Sequence, residues 1–254
     1  MTAKQSGYAK VNGLEMYYEV HGRARAGDQR PLVLLHGGVL SIDLAFSAVL
    51  PALAEDRQVI AVDMQGHGRT ADIERDMSVV DFAADVVALL DELGVPQADF
   101  LGFSLGGLTS LQIAVAHPEH VSRVVLASAH YHQDGYHPGI STGETTVPLP
   151  TQAEFEEWAA TYARIAPHPE HFETLIAKAT AAAHATLPWT ADDLRGIAAP
   201  TLLVIGDMDF VRIEHAAEMQ RLIPKAHLAV LPDTTHMGVM RRTSVLLPLL
   251  GEFL

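Results

Sequence analysis

The chain has 254 residues, enough for one large α/β domain or a core with an insertion. Its 17 basic and 31 acidic residues leave a net charge of −14, a surface that repels polyphosphates and anionic membranes and excludes nucleic acid as an expected partner. The lack of cysteine excludes disulfides, thiolate metal sites and cysteine catalysis, and no apolar run approaches the ~20 residues of a membrane span.

Residues 1–7 are polar and lack the apolar core of a signal peptide, so a cytoplasmic location is expected. Residues 8–11 and 14–20 flank Asn12-Gly13, a strong hairpin turn signal. A short apolar strand follows at 31–35, then a helix at 45–54 and a second apolar strand at 58–62. Residues 79–93 carry apolar side chains at 79, 82, 86, 89, 90 and 93, which is helical spacing. Gly94 ends that helix and Pro96 prevents its resumption. Ala98–Phe103 reads as a strand, Leu105–Ala116 as a helix and Val121–Ala127 as a strand. Later come a strand at 201–205, a helix at 215–222, a strand at 228–231 and a closing helix at 243–254. Short apolar strands alternating with helices imply an α/β fold, a mostly parallel, doubly wound sheet of about eight strands.

Residues 131–199 break this rhythm. They offer no convincing strand, and helices are expected at 153–165 and 169–183. A structureless loop of that length would be unusual, so the expected division is a core of residues 1–130 and 200–254 with a helical cap insertion at 131–199. The insertion would enter and leave at the carboxyl ends of the strands, where open α/β sheets bind ligands.

Gly102-Phe103-Ser104-Leu105-Gly106-Gly107 stands between a strand and a helix and reads as a nucleophile elbow. Glycine at such a turn avoids backbone collision and lets a serine hold a strained geometry at the end of the sheet. Four further motifs surround it in chain order. They are His36-Gly37-Gly38, the loop Asp63-Met64-Gln65-Gly66-His67-Gly68-Arg69-Thr70, Gly206-Asp207-Met208-Asp209, and His236 after the last strand. With these in order, the chain resembles the α/β-hydrolase family, serine esterases and lactonases in particular, across nearly its whole length.

The resemblance implies a serine hydrolase acting on a small acyl compound and water, with no cofactor, no metal, no nucleic acid and no membrane. Ser104 would be the nucleophile and His236 its base, since a serine hydroxyl needs a base and that base needs an orienting partner. The family sets the acid three residues after glycine, at Asp209, with Asp207 the alternative; the unused one would serve a turn or cap. The amides of Leu105 and, by resemblance, Gly38 would bind the oxyanion. The loop from Asp63 to Thr70 would hold the rim of the site. Phe103, Val39, Trp158 and Trp189 would line the substrate pocket, with Phe155, Tyr162 and Phe172 as further candidates. His130, His132 and His137 with Asp134 suggest a metal, but their spacing gives no sign of convergent ligands.

Departures narrow the family. Ser104 stands where dehalogenases and epoxide hydrolases carry aspartate. Phe103 stands where carbon–carbon hydrolases often carry asparagine, but it matches perhydrolases and haloperoxidases. Gly38 and Val39 differ from the aromatic residue and proline usual in that last group. The loop from Gly66 to Arg69 resembles that of enol-lactone hydrolases. The insertion's nine acidic residues against Arg164, Lys178 and Arg195 argue against a strongly anionic substrate unless a buried arginine offsets them. The expected reaction is hydrolysis of an ester or lactone through an acyl-enzyme. Carbon–carbon hydrolysis or perhydrolysis on the same fold, and non-catalytic ligand binding, are the alternatives.

Overall fold

The computed structural model describes residues 5–23, 30–140 and 142–254, so Met1 to Lys4 of the polar N-terminal stretch and Ser141 of the expected insertion lie outside the described residues. The hairpin forms from β1 (Gln5–Val11) and β2 (Leu14–His21), with Asn12 and Gly13 both at positive φ (47° and 85°), as a two-residue turn of this hand requires. Next come β3 (Leu32–Leu35), α1 (Ile42–Phe46), α2 (Leu50–Asp56), β4 (Val59–Val62) and α3 (Val79–Glu92). The central unit is β5 (Ala98–Phe103), α4 (Leu105–Ala116) and β6 (Val121–Ala127). Between β6 and the next strand lie α5 (Gln152–Ile165), α6 (Phe172–His184) and α7 (Ala191–Arg195). The chain closes with β7 (Thr201–Met208), α8 (Ile213–Leu222), β8 (Ala226–Thr235) and α9 (Thr243–Phe253).

One eight-stranded sheet runs in the order β1-β2-β4-β3-β5-β6-β7-β8. The two pairings of β2 are antiparallel and every other pairing is parallel. Alternation along each strand splits the core into two layers. Val33, Leu35, Phe100, Val124 and Leu203 pack under α3 and α4. Leu32, Leu34, Leu101, Val125 and Leu202 face the other way, against α1, α2 and α9. Strand order reverses beside β3, whose neighbours are β4 and β5, so the loops leaving β3 and β5 part company there and open a crevice.

The structure departs from the sequence reading in three places. The helix expected at 45–54 is two short helices, because Pro51 lacks an N–H and its ring would strike the carbonyl of Ser47 in a continuous helix. β7 and β8 run past their apolar stretches, pairing Gly206 with Leu231 and, after a register shift, Met208 with Thr235. Mutual pairing rather than burial sustains those polar ends. α7 went unanticipated, although Thr190 and Asp193 cap it reciprocally. No helix among the described residues is long and apolar enough to cross a membrane.

Four histidines are buried in neutral form. Desolvation pushes His36 and His130 down to about 3, and His67 and His215 down to about 4. His36 needs that neutrality: its Nδ1–H donates to the Gly37 carbonyl (2.8 Å) while Nε2 accepts from the Met64 amide (3.1 Å). The unfolded chain takes up protons near the ordinary histidine value of ~6.5, whereas the folded chain resists until lower pH. Their contribution is therefore full above that value and lost as pH falls from ~6.5 toward 4, by up to ~1.4 kcal/mol per pH unit for each histidine. The urea midpoint should drop steeply between pH 7 and pH 5. A midpoint constant over that interval would contradict neutral burial.

Candidate active site

The turn from β5 into α4 puts Ser104 at φ 52° and ψ −115°, a conformation that L residues rarely hold. Its amide donates to the Ala127 carbonyl (2.8 Å), which ties the turn to β6. A Cβ at Gly102 would sit 2.1 Å from the Gly106 carbonyl oxygen, and one at Gly106 would sit 2.0 Å from that of Leu35. Neither neighbour is a side chain that can swing away, so both positions demand glycine.

His236 begins the turn after β8. Its Nε2 lies 3.0 Å from Ser104 Oγ, and its Nδ1 lies 2.6 Å from Asp209 Oδ1. With Nδ1–H donating to the carboxylate, Nε2 carries the lone pair that faces the hydroxyl. Asp209 follows the end of β7 and is almost fully buried. Burial alone would raise its pKa. The His236 ring, the Ser128 hydroxyl (2.6 Å to Oδ2) and the Val211 amide (3.2 Å to Oδ1) outweigh that and hold the carboxyl below its usual range. Ser128, at φ 54°, leaves β6 in the left-handed region and aims its hydroxyl at Asp209. The Phe210 ring lies flat on the imidazole at 4.0 Å and 7°, and Phe103 flanks it at 5.1 Å.

Asp207 does not reach His236. It is exposed and accepts the amides of Asp233 (3.0 Å) and Thr234 (2.9 Å), which lower its pKa and pin the end of β8. The loop from Asp63 to Thr70 is a strut. Asp63 accepts the Ile42 and Arg69 amides, and Thr70 Oγ1 donates to the Asp63 carbonyl while accepting the Tyr17 amide.

Gly38 and Leu105 face each other beside Ser104; a Cβ on Gly38 would make only ordinary contact with Leu105, at 3.8 Å. Leu105 is the first residue of α4, where helix geometry leaves the N–H groups without intrahelical acceptors. Val39, at φ 64°, turns the β3 loop along the same rim. Both loops open onto a cavity of about 860 Å³, walled by apolar side chains such as Val39, Leu40, Phe103, Leu108, Trp158 and Met237.

Trp158 on α5 lines this cavity, but Trp189 does not. Trp189 is buried in the core, and its Nε1–H donates to Gln112 Oε1 on α4 (2.7 Å). It fastens the segment before α7 to the sheet layer, and its expected place in the pocket is withdrawn. Phe155 and Tyr162 each pack at a tilt against Phe172, and none of the three lines the cavity. Of the three histidines, His130 is buried against Tyr136 (4.1 Å), His132 is exposed beside Asp134 and His137 lines the cavity. Among the described residues no three His, Asp or Glu side chains converge as a metal site would need. Sequence reading missed Ser128, Phe210, Arg212 and Met237. Ser128 and Phe210 had a positional signal only, next to the end of β6 and next to Asp209.

A family model for the alpha/beta hydrolase fold matches residues 30–167. The chain is 42% identical over 102 residues to 2-hydroxymuconate semialdehyde hydrolase of Pseudomonas sp. strain CF600, across 38% of this chain and 35% of that one. It is 33% identical over 120 residues to pyrrolizixenacetamide deacetylase of Xenorhabdus hominickii, across 47% of this chain and 43% of that one. The alignments thus span less than half the length of either relative. Among solved structures, Est816, described as an N-acyl homoserine lactone degrading enzyme, superposes with a TM-score of 0.71 at 26% identity, over 97% of this chain and 100% of that one.

Proposed function

The chain belongs to the α/β-hydrolase family, and we propose that within it this protein is a serine hydrolase cleaving a small ester, lactone or related acyl compound. The observation that carries this reading is the hydrogen-bonded chain from Ser104 Oγ through His236 to Asp209 at the edge of an apolar cavity. Ser104 Oγ attacks the acyl carbon as His236 Nε2 takes the hydroxyl proton. The carbonyl oxygen becomes the oxyanion and is met by the amides of Leu105 and Gly38. His236 returns the proton to the departing alcohol oxygen, leaving an acyl-enzyme. Water, deprotonated by the same imidazole, attacks the acyl carbon, releases the acid and restores Ser104. Asp209 stays ionised throughout and stabilises the imidazolium.

Residues 131–199 act in this reading as the cap, since α5 and α6 supply wall residues and no group that takes part in the bond changes. Carbon–carbon hydrolysis on the same residues is the second reading, favoured by the likeness to the semialdehyde hydrolase. Turnover of p-nitrophenyl esters and of lactones of rising chain length separates the two. The ester reading expects saturable turnover of esters, unchanged by chelator. Turnover of a dienoic ketoacid with none of any ester or lactone would favour the second.

A further inference from the structure

The wall of the cavity beside His236 is a short antiparallel ribbon. Tyr136 pairs with Val211, the His137 amide donates to the Phe210 carbonyl (2.8 Å), and the Arg212 amide donates to the Gly135 carbonyl (2.8 Å). Side chains alternate along such a ribbon. Val211 is buried in the core, while Phe210 covers the His236 ring and Arg212 and His137 line the cavity. Two residues along extended backbone advance about 6.6 Å. The stem of Arg212 therefore starts about that far from the residue packed on the base.

Arg212 is held by main chain rather than by a carboxylate. Arg57, Arg69, Arg75, Arg164, Arg195 and Arg241 each have a carboxylate within 4.0 Å. Arg212, like Arg30, Arg221 and Arg242, has none among the described residues, and of these four it alone lines the cavity, in a chain with a net charge of −14. Its Nε (3.0 Å) and one Nη donate to the main-chain carbonyl of Asp134. That contact fixes the plane of the guanidinium and leaves other N–H groups for a further acceptor. Among the described residues no other arginine, and no lysine, lines the cavity. The acidic residues of the insertion bear little on it: only Asp134 is in the wall, and its side chain is 85% exposed.

We infer that Arg212 makes this cavity selective for esters or lactones that carry a carboxylate away from the scissile bond, an inference that rests on the hydrolase reading. A positioned guanidinium takes a carboxylate by two parallel hydrogen bonds, and lysine cannot reproduce that fork. His137 borders the same face, and the apolar wall receives the carbon skeleton between the two polar ends. The overall negative charge slows the approach of anions, so the selectivity is local and contact-based.

Two matched pairs of substrates test this. Mono-p-nitrophenyl adipate against its methyl ester puts the charge on the acyl side. 4-Acetoxybenzoate against methyl 4-acetoxybenzoate puts it on the alcohol side. Wild type should favour the carboxylate member of one pair by about 10- to 100-fold in kcat/KM, mostly through KM. R212Q should erase that preference and R212K should keep part of it, each read as the ratio of kcat/KM between the charged and neutral members of a pair. Equal treatment of both members in both pairs by wild type would overturn the inference. A parallel loss on charged and neutral members in R212Q would do the same, and would make Arg212 only a strut for the loop at Asp134. Failure of the underlying hydrolase reading looks different: no member is turned over and a fluorophosphonate leaves Ser104 unlabelled.

Discussion

Ser104→Ala should lower kcat on every ester the protein accepts by about three to six orders of magnitude, at little cost in stability. The change removes one oxygen and leaves the Cβ in place, so the strained turn at φ 52° costs alanine no more than serine. The Gly102 and Gly106 contacts that shape the turn are untouched. What disappears is the hydroxyl 3.0 Å from His236 Nε2, and among the described residues no other hydroxyl is hydrogen-bonded to that imidazole. Substrate should still bind, because the apolar wall from Val39 to Met237 is unaltered. Stopped assays with wild type and variant at equal concentration, alongside their melting curves, check this. A folded variant that keeps a tenth of wild-type kcat would remove Ser104 from the chemistry.

The second large effect separates two aspartates that lie two residues apart. Asp209→Asn should lower kcat by about 10⁴-fold, a loss typical when the carboxylate that accepts the imidazole N–H hydrogen bond is replaced by an amide. An amide turned toward His236 with its NH2 group forces the other tautomer, which puts N–H on Nε2 and a second donor against the Ser104 hydroxyl. If the amide oxygen faces the ring instead, its NH2 group meets Ser128, and the charge that stabilises the imidazolium is still gone. Asp207→Asn should leave kcat within about threefold and cost on the order of 1 kcal/mol of stability, since it weakens only two bonds to main chain. A larger loss of kcat from Asp207→Asn than from Asp209→Asn, with both folded, would contradict the arrangement. Asp209, held below the usual carboxylate range, stays ionised through mildly acidic pH.

Legibility in the sequence followed the physics of each element. β5, α4 and β6 can be read to the residue because glycine and serine punctuate the turn between β5 and α4 and both strands are mostly apolar. β7 and β8 cannot, because they run past their apolar stretches and their ends are paired with each other. Pro51 is a visible break inside the helix expected at 45–54, where the chain forms α1 and α2 instead. The two tryptophans show where pattern stops. Both are large, apolar and in the insertion, but one lines the cavity and the other donates to Gln112. Only the packing of α5 and of the segment before α7 distinguishes them. Ser128 and Arg212 owe their places to long-range pairing, Ser128 to Asp209 across 81 residues and Arg212 to Asp134 across 78. No local pattern reports such a contact.

The central claim is that Ser104 becomes covalently acylated during turnover. Treating the protein with a fluorophosphonate, digesting it and locating the adduct by mass spectrometry tests that most directly. The expected result is one adduct per chain on the peptide containing Ser104, none in Ser104→Ala, and loss of ester turnover in step with labelling. An adduct on another serine, or no adduct on folded protein that still turns over esters, would contradict it.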